Sequence, residues 1–288
     1  MSRSLSENKE KVLIQCRLCD ADKTLPFTNE GEWQVHKCSV CGFVFVVPLP
    51  EEEYLRAHYQ QYLPSDEDGI YHWRKLMIDV FERSLSVIKR ESICSGRKLL
   101  DVGCGYGFFL EEANREGWSI QGVEPCEHAH RYSQKNGLKV DLGDLFQQRY
   151  QDNSFDVVTM FYVLEHVRDP LSYLREAYRV LKSGGLLLVR VPHTTPIVKL
   201  LKAFRIPNRL YDTPSHLSDF SPRTLATALC KTGFIDIKTF PGGSTRPYPF
   251  GECIVSVTSG WLADALYWIS AGKWLLPGVS KTTTAKKK

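Results

Sequence analysis

Residues 99–112, LLDVGCGYGFFLEE, place glycines at 103, 105 and 107 between an apolar run and a segment with helical spacing. Three glycines in five residues cost conformational entropy and remove side chains just where a strand passing into a helix should pack. An open α/β sheet accommodates such a turn, because ligands there bind beyond the carboxyl ends of the strands, beside the first one. Ligand atoms can then approach the backbone and meet the amide dipoles of the helix start. Strand-like segments recur along the chain: KLLDVG (98–103), IQGVEP (120–125), KVDLGD (139–144), FDVVTMF (155–161), LLLVRVP (186–192) and FIDIKTF (234–240). Helical stretches such as FLEEANREG separate them. This alternation predicts a parallel sheet with helices on both faces.

Two helices can be read individually. Over 73–90, Trp73, Met77, Val80, Phe81 and Ile88 share one face. Asp169 is a good N-cap, Pro170 suits the first helical position, and Leu171, Leu174, Tyr178 and Leu181 form a stripe that Gly184 and Gly185 are expected to stop.

Cys16-x-x-Cys19 and Cys38-x-x-Cys41, separated by residues 20–37, have the spacing of a zinc ribbon. Each pair makes a knuckle with both thiolates on one side, and four thiolates leave no open position, so the metal expected is structural. The other five cysteines, 94, 104, 126, 230 and 253, lack ligand spacing and read as small core or surface residues.

A chain of 288 residues accommodates one large domain and a small one. Its 43% hydrophobic and 24% charged content is that of a soluble globular protein. The net charge of +4 is mild, and four of the lysines lie in the final KTTTAKKK, which reads as a solvated, disordered end. The first twelve residues lack the apolar core of a signal peptide, and no run approaches the length of a membrane span, so a cytoplasmic protein is expected.

Glu124 lies 21 residues beyond Gly103, where an acidic side chain at the end of the second strand can accept hydrogen bonds from both ribose hydroxyls. The pocket is therefore expected to hold a nucleoside. A dinucleotide fingerprint is G-x-G-x-x-G; here the third glycine comes one residue early, which leans away from NAD.

LLDVGCGYG, GVEP, LGDL, DNSFDVVTMFYVLEHVRDP and YRVLKSGGLLLVRVP, in this order and spacing, resemble the class I S-adenosylmethionine-dependent methyltransferases over about residues 97–240. The ribbon followed by GFVFVVPLP, and the later HLSDFSPRTLATALCKTGF, are similar to zinc-ribbon methyltransferases of sugar, polysaccharide and small-metabolite modification, including sugar C-methyltransferases. The resemblance implies a Rossmann-like, seven-stranded, mostly parallel sheet that an antiparallel seventh strand closes. ECIVSVT (252–258) is the candidate for that strand, or else the start of a helix. It also implies that Gly103, Gly105 and Gly107 line the methionine and ribose portions of S-adenosylmethionine and that Asp101 orients the loop and the amino group. Glu124 would hold the ribose, Asp144 the adenine amino group with Leu145 beside the ring, and Phe161 and Tyr162 the methionine end. His166 becomes the first choice for a catalytic base, with Glu165 either orienting it or facing a basic group; a structural helix-entry histidine is the alternative reading.

The long segment 193–220 joins the fifth strand to a helix starting at Ser221-Pro222, which places it at the ligand end as a lid. His193, Asp212 and His216 are secondary candidates for acceptor contacts, and His216 could equally lock the lid. Trp261, Trp268 and Trp274 suggest either docking on the domain or a second subunit, or a weak membrane-surface contact. The divisions expected are a zinc-ribbon domain (1–47), a linker and helical segment (48–96), a methyltransferase domain (97–258) and a C-terminal amphipathic segment with a basic tail (259–288). The acceptor expected is a small molecule, with carbohydrate as the leading class. Nucleic-acid signals are weak: the place of an adenine-methyltransferase [N/D]-P-P-[Y/F] segment reads Phe161-Tyr162-Val163-Leu164, and Pro125-Cys126 follows the second strand instead of the fourth. An RNA methyltransferase using the ribbon as a clamp and an inactive cofactor-binding scaffold are the alternatives.

Overall fold

Two sheets organise the chain in the computed structural model, which describes residues 14–92, 96–248 and 250–288, so Cys94 lies outside them. Strands Thr24–Glu30 (β1), Trp33–Cys38 (β2) and Val44–Val47 (β3) form an antiparallel ribbon beside the cysteine knuckles. Helices Glu52–Gln60 (α1) and Glu67–Glu91 (α2) follow, the second capped by the Asp66 carboxylate accepting from Gly69 N.

The α/β portion then runs Lys98–Val102 (β4), Phe108–Arg115 (α3), Ser119–Glu124 (β5), Glu127–Lys135 (α4), Val140–Leu142 (β6), Phe155–Phe161 (β7), Pro170–Val180 (α5) and Leu181–Val191 (β8). It continues through Thr195–Ala203 (α6), Ser218–Asp219 (β9), Pro222–Lys231 (α7), Ile235–Pro241 (β10), Phe250–Ile269 (α8) and Lys281–Lys286 (β11). The large sheet has the order β10-β11-β8-β7-β4-β5-β6, with β11 alone antiparallel to its neighbours. Alternation along the strands divides the core. Leu100, Val102, Val158, Met160, Leu187 and Val189 pack under α5 and α7, whereas Leu99, Val157, Leu186 and Leu188 face α2 and α3.

The seventh strand corrects two expectations. It is formed by the KTTTAK run, not by ECIVSVT, which lies within α8; the sheet therefore extends to the C-terminal residues and does not end at 258. Thr282, Thr283 and Thr284 are buried. Their β-branched side chains suit a pleated position, and the lysines at either end reach backbone carbonyls: Lys281 donates to Leu276 O and Val279 O, Lys287 to Leu181 O. A polar, lysine-rich run is thus an interior strand, not a solvated tail.

Gly184 and Gly185 do not stop α5 either. That helix, capped as expected by Asp169 accepting from Ser172 N, ends at Val180 and the chain enters β8 directly. Gly184 adopts a φ of +73°, and a Cβ on Gly185 would stand 2.8 Å from Lys182 O, so both serve a close turn at the start of the strand.

The ribbon is joined to the α/β portion at two levels. β9, from the 193–220 segment, pairs with β3 and extends the ribbon sheet to four strands. Cys16, Cys38, Phe43 and Phe45 belong to the same buried cluster as Leu174, Val189 and Phe220.

Candidate active site

At the carboxyl ends of β4, β5 and β7 lies a cavity of about 740 Å³, within the usual range for small-molecule sites. Asp101, Gly103, Gly105, Glu124, Asp144, Leu145, Phe161, Tyr162, His166 and His216 line it together. Gly107 and Glu165 do not. A Cβ on Gly107, the N-cap of α3 at φ +79°, would overlap Leu138, so this glycine serves the packing of the helix against its neighbours. A Cβ on Gly105 would meet only Leu63 Cδ1, at 3.8 Å, which leaves backbone open to the cavity.

Two buried carboxylates hold the loop. Glu124 accepts from Gly105 N at 2.7 Å and Cys126 N at 2.8 Å, and burial pushes its carboxyl up to about 7. Asp101 accepts from the Thr159 hydroxyl at 2.6 Å, and burial, aided by the charge of Glu124, raises it to about 8. Each oxygen retains lone pairs for a ligand hydroxyl or ammonium. Asp144 Oδ1 accepts from Phe146 N and Gln147 N, which shapes the turn after β6, while Leu145 is fully buried in the wall. Tyr162 sits at φ +56°, a strained conformation for a tyrosine, held by Arg190 donating from Nε to its hydroxyl at 2.8 Å.

The roof comes from the segment read as a linker. Tyr59 and Tyr62, from α1 and the turn after it, set their rings 5.4 and 5.3 Å from the His166 ring. Trp73, Leu76, Met77 and Phe81, at helical spacing on α2, complete an apolar wall. The aromatic density of YLRAHYQQYL is the sequence signal for the two tyrosines, and the Trp73, Met77, Phe81 face of α2 is the signal for the wall.

His166 Nδ1 lies 2.9 Å from Ser215 O, and a carbonyl can only accept, so the proton is on Nδ1 and the Nε2 lone pair is free. Burial, reinforced by His216, pushes its pKa down to about 3, so the imidazole is neutral. The ring of His216 lies 4.8 Å away. Glu165 is wholly buried beneath this pair, both carboxylate oxygens lacking a hydrogen-bond partner, and burial raises it to about 8. Its carboxylate and the two imidazoles bring ligand atoms within 4.8 Å of one another. His193 and Asp212 do not line the cavity; His193 Nδ1 instead meets Lys281 Nζ at 3.2 Å.

In the ribbon, Cys16 and Cys41 Sγ atoms are 3.6 Å apart, as are those of Cys19 and Cys38. Four thiolates at about 2.3 Å from one ion would be separated by nearly this distance, so the set fits a tetrahedral metal. Arg17, between the first two cysteines, donates to Arg168 O at 3.0 Å and Leu217 O at 2.7 Å.

The methyltransferase-domain family model matches residues 57–239, well over half of the chain. The chain belongs to this family. It is an S-adenosylmethionine-dependent methyltransferase with a Rossmann-like fold. This methyltransferase is 28% identical over 193 residues to a ubiquinone biosynthesis O-methyltransferase of Nitrosococcus oceani, covering 63% of the chain and 80% of that relative. It is 34% identical over 122 residues to the corresponding protein of Actinobacillus pleuropneumoniae serotype 5b, covering 38% of the chain and 50% of the relative. The methyltransferase therefore spans only about half the length of several curated relatives it matches. Among solved structures it superposes on a methyltransferase from Thermotoga maritima described as a possible histamine N-methyltransferase, with a TM-score of 0.54, 20% identity, and coverage of 83% of this chain and all of that one. A phosphoethanolamine N-methyltransferase of Haemonchus contortus with S-adenosyl-L-methionine gives 0.51, 16% identity and coverage of 90% and 70%. At such identities the two structures establish the fold alone.

Proposed function

We propose that this methyltransferase transfers a methyl group to a hydroxyl of a small acceptor with an apolar, ring-bearing body. The observation that carries the reading is the neutral His166, its Nε2 free, beneath a roof of Tyr59, Tyr62, Trp73 and Phe81. Aromatic walls suit a flat or apolar acceptor better than a polyhydroxyl one. The Nitrosococcus and Actinobacillus relatives are named for O-methylation in ubiquinone biosynthesis, which supports an oxygen acceptor and lends nothing to the carbohydrate class expected from the sequence.

S-Adenosylmethionine, when bound, supplies an electrophilic methyl carbon. Gly103 and Gly105 would offer backbone to its methionine and ribose portions, Glu124 and Asp101 their remaining lone pairs, and Asp144 and Leu145 the adenine edge and face. Phe161 and Tyr162 would flank the methionine end. His166 Nε2 would accept a hydrogen bond from the acceptor hydroxyl and take its proton as the new O–C bond forms. Glu165, when ionised, would stabilise the resulting imidazolium, and His216 would bound the acceptor's other side. The four ribbon cysteines would hold one structural zinc, which elemental analysis should find at about one ion per chain.

Methyl-labelled S-adenosylmethionine offered with a panel of phenols, catechols and nucleotide sugars tests the acceptor. Label should enter a phenolic or catecholic oxygen. Transfer to sugars alone, or to none of the panel and no fraction of a metabolite extract while the cofactor binds, would overturn the proposal.

A further inference from the structure

α8 turns the wrong face to solvent. Its inner side carries buried Gly260 and Ala263 and the Asp264–Arg83 ion pair, while Ile254, Val255, Trp261, Leu262, Trp268 and Ile269 point outward. These six recur in pairs every seven residues and so form one stripe, and beyond Glu252 no charged residue interrupts the exposed face. Trp268 and Ile269 are 78% and 82% exposed, and Trp274 just beyond the helix is 64% exposed. Among the described residues nothing covers this surface. An apolar face of this extent on one helix marks an interaction site.

A second surface lies beside it. α6 and the turn that follows expose Leu200, Phe204, Ile206 and Leu210, interleaved with exposed Lys199, Lys202, Arg205 and Arg209 and no acidic residue between 193 and 211. The two are joined in space, because Gly278, four residues past Trp274, packs against Ile197 of α6. Both helices leave the sheet at its ligand end. Ser256 of α8 donates to Thr245 O at 2.6 Å, and Thr245 lines the cavity.

We propose that α8 and α6 form a docking surface for an anionic lipid bilayer, with the tryptophan stripe in the interfacial layer and the four cations on headgroups. Tryptophan and leucine beside lysine and arginine are the composition of interfacial helices. No described helix is long and apolar enough to cross a membrane, so the contact is with the surface. A second copy of the chain would oppose two clusters of like charge, which disfavours it as the occupant.

The test is co-sedimentation of the full chain with phosphatidylcholine vesicles, with and without phosphatidylglycerol, alongside light scattering of the protein alone and S-adenosylhomocysteine calorimetry as a check of folding. The chain should sediment with the anionic vesicles and remain in solution with phosphatidylcholine. Trp268→Ser with Ile269→Ser should abolish sedimentation with S-adenosylhomocysteine binding intact. Lys199→Ala should weaken it about fivefold, as expected for one cation near a charged bilayer. Protein that binds S-adenosylhomocysteine and ignores anionic vesicles would overturn the proposal. So would unchanged sedimentation of the Trp268/Ile269 variant, or a dimer that this variant dissociates without any lipid binding by the parent chain.

Discussion

Substituting the glycines of the loop one at a time should separate two jobs that the sequence presents as one. Gly107→Ala places a methyl group at φ +79° and into Leu138. The left-handed backbone costs about 1–2 kcal/mol and the overlap about 1–3 more, a total of roughly 2–5 kcal/mol. For a chain of this size that lowers the melting temperature by about 3–8 °C. Gly105→Ala has the same backbone penalty at φ +56°, but its methyl meets only Leu63 Cδ1 at ordinary contact distance and otherwise enters the cavity. It should lower the melting temperature by only about 2–3 °C while weakening S-adenosylhomocysteine by about tenfold or more. Differential scanning fluorimetry and isothermal titration calorimetry on the same preparations read both quantities. Loss of S-adenosylhomocysteine binding by Gly107→Ala at an unchanged melting temperature would refute this division, as would a Gly105→Ala protein that melts as low as Gly107→Ala yet binds normally.

Turnover should rise with pH through about 8 as Glu165 ionises beneath His166, and Glu165→Gln should flatten that rise without changing S-adenosylhomocysteine affinity. The same group links to stability with a definite sign. Its folded-state pKa lies above the ordinary carboxylate value, so its contribution is full below pH ~4 and lost as the pH rises through about 8. Glu165→Gln should accordingly lose less stability than the parent between about pH 6 and 9, as denaturant midpoints would show. Arg17→Met leaves the carbonyl of Arg168 without its donor, at about 1–3 kcal/mol, and takes one of two donors from Leu217 O, which keeps Val46 N. It should lower kcat more than it weakens S-adenosylhomocysteine binding, and an unchanged kcat would remove the ribbon from the positioning of His166 and His216. Deletion of residues 281–288 removes the strand between β8 and β10 and should yield no folded protein by circular dichroism; soluble, nucleotide-binding material would contradict the topology.

The central parallel strands β4, β7 and β8 were legible because each carries an apolar run buried on both faces, and such runs have few alternatives. FDVVTMF became Phe155–Phe161 residue for residue. The closing strand was not legible for the opposite reason. KTTTAK carries its signal in β-branched threonines, while its lysines imitate a solvated tail, and only its six-residue pairing with β8 shows it to be interior. ECIVSVT misled in the other direction, since an apolar segment without helical periodicity fits a strand as well as a helix with an uncovered face.

Within the site, what could be read was what lies close in sequence to the glycine loop and the ends of β5, β6 and β7. Gly103, Gly105, Glu124, Asp144 and His166 each sit at a strand terminus, so topology alone converges them. Tyr59 and Tyr62 reach the same cavity from more than 40 residues upstream through packing that no local pattern encodes. The ribbon shows the same limit more sharply. Its cysteine spacing announces a self-contained module, yet Arg17 inside the first knuckle grips the loops that carry His166 and His216, and β9 from the lid completes its sheet. Loss of order at the knuckle therefore has a direct route, through these two hydrogen bonds, to the position of the His166 imidazole. A module placed there for folding alone would need neither contact.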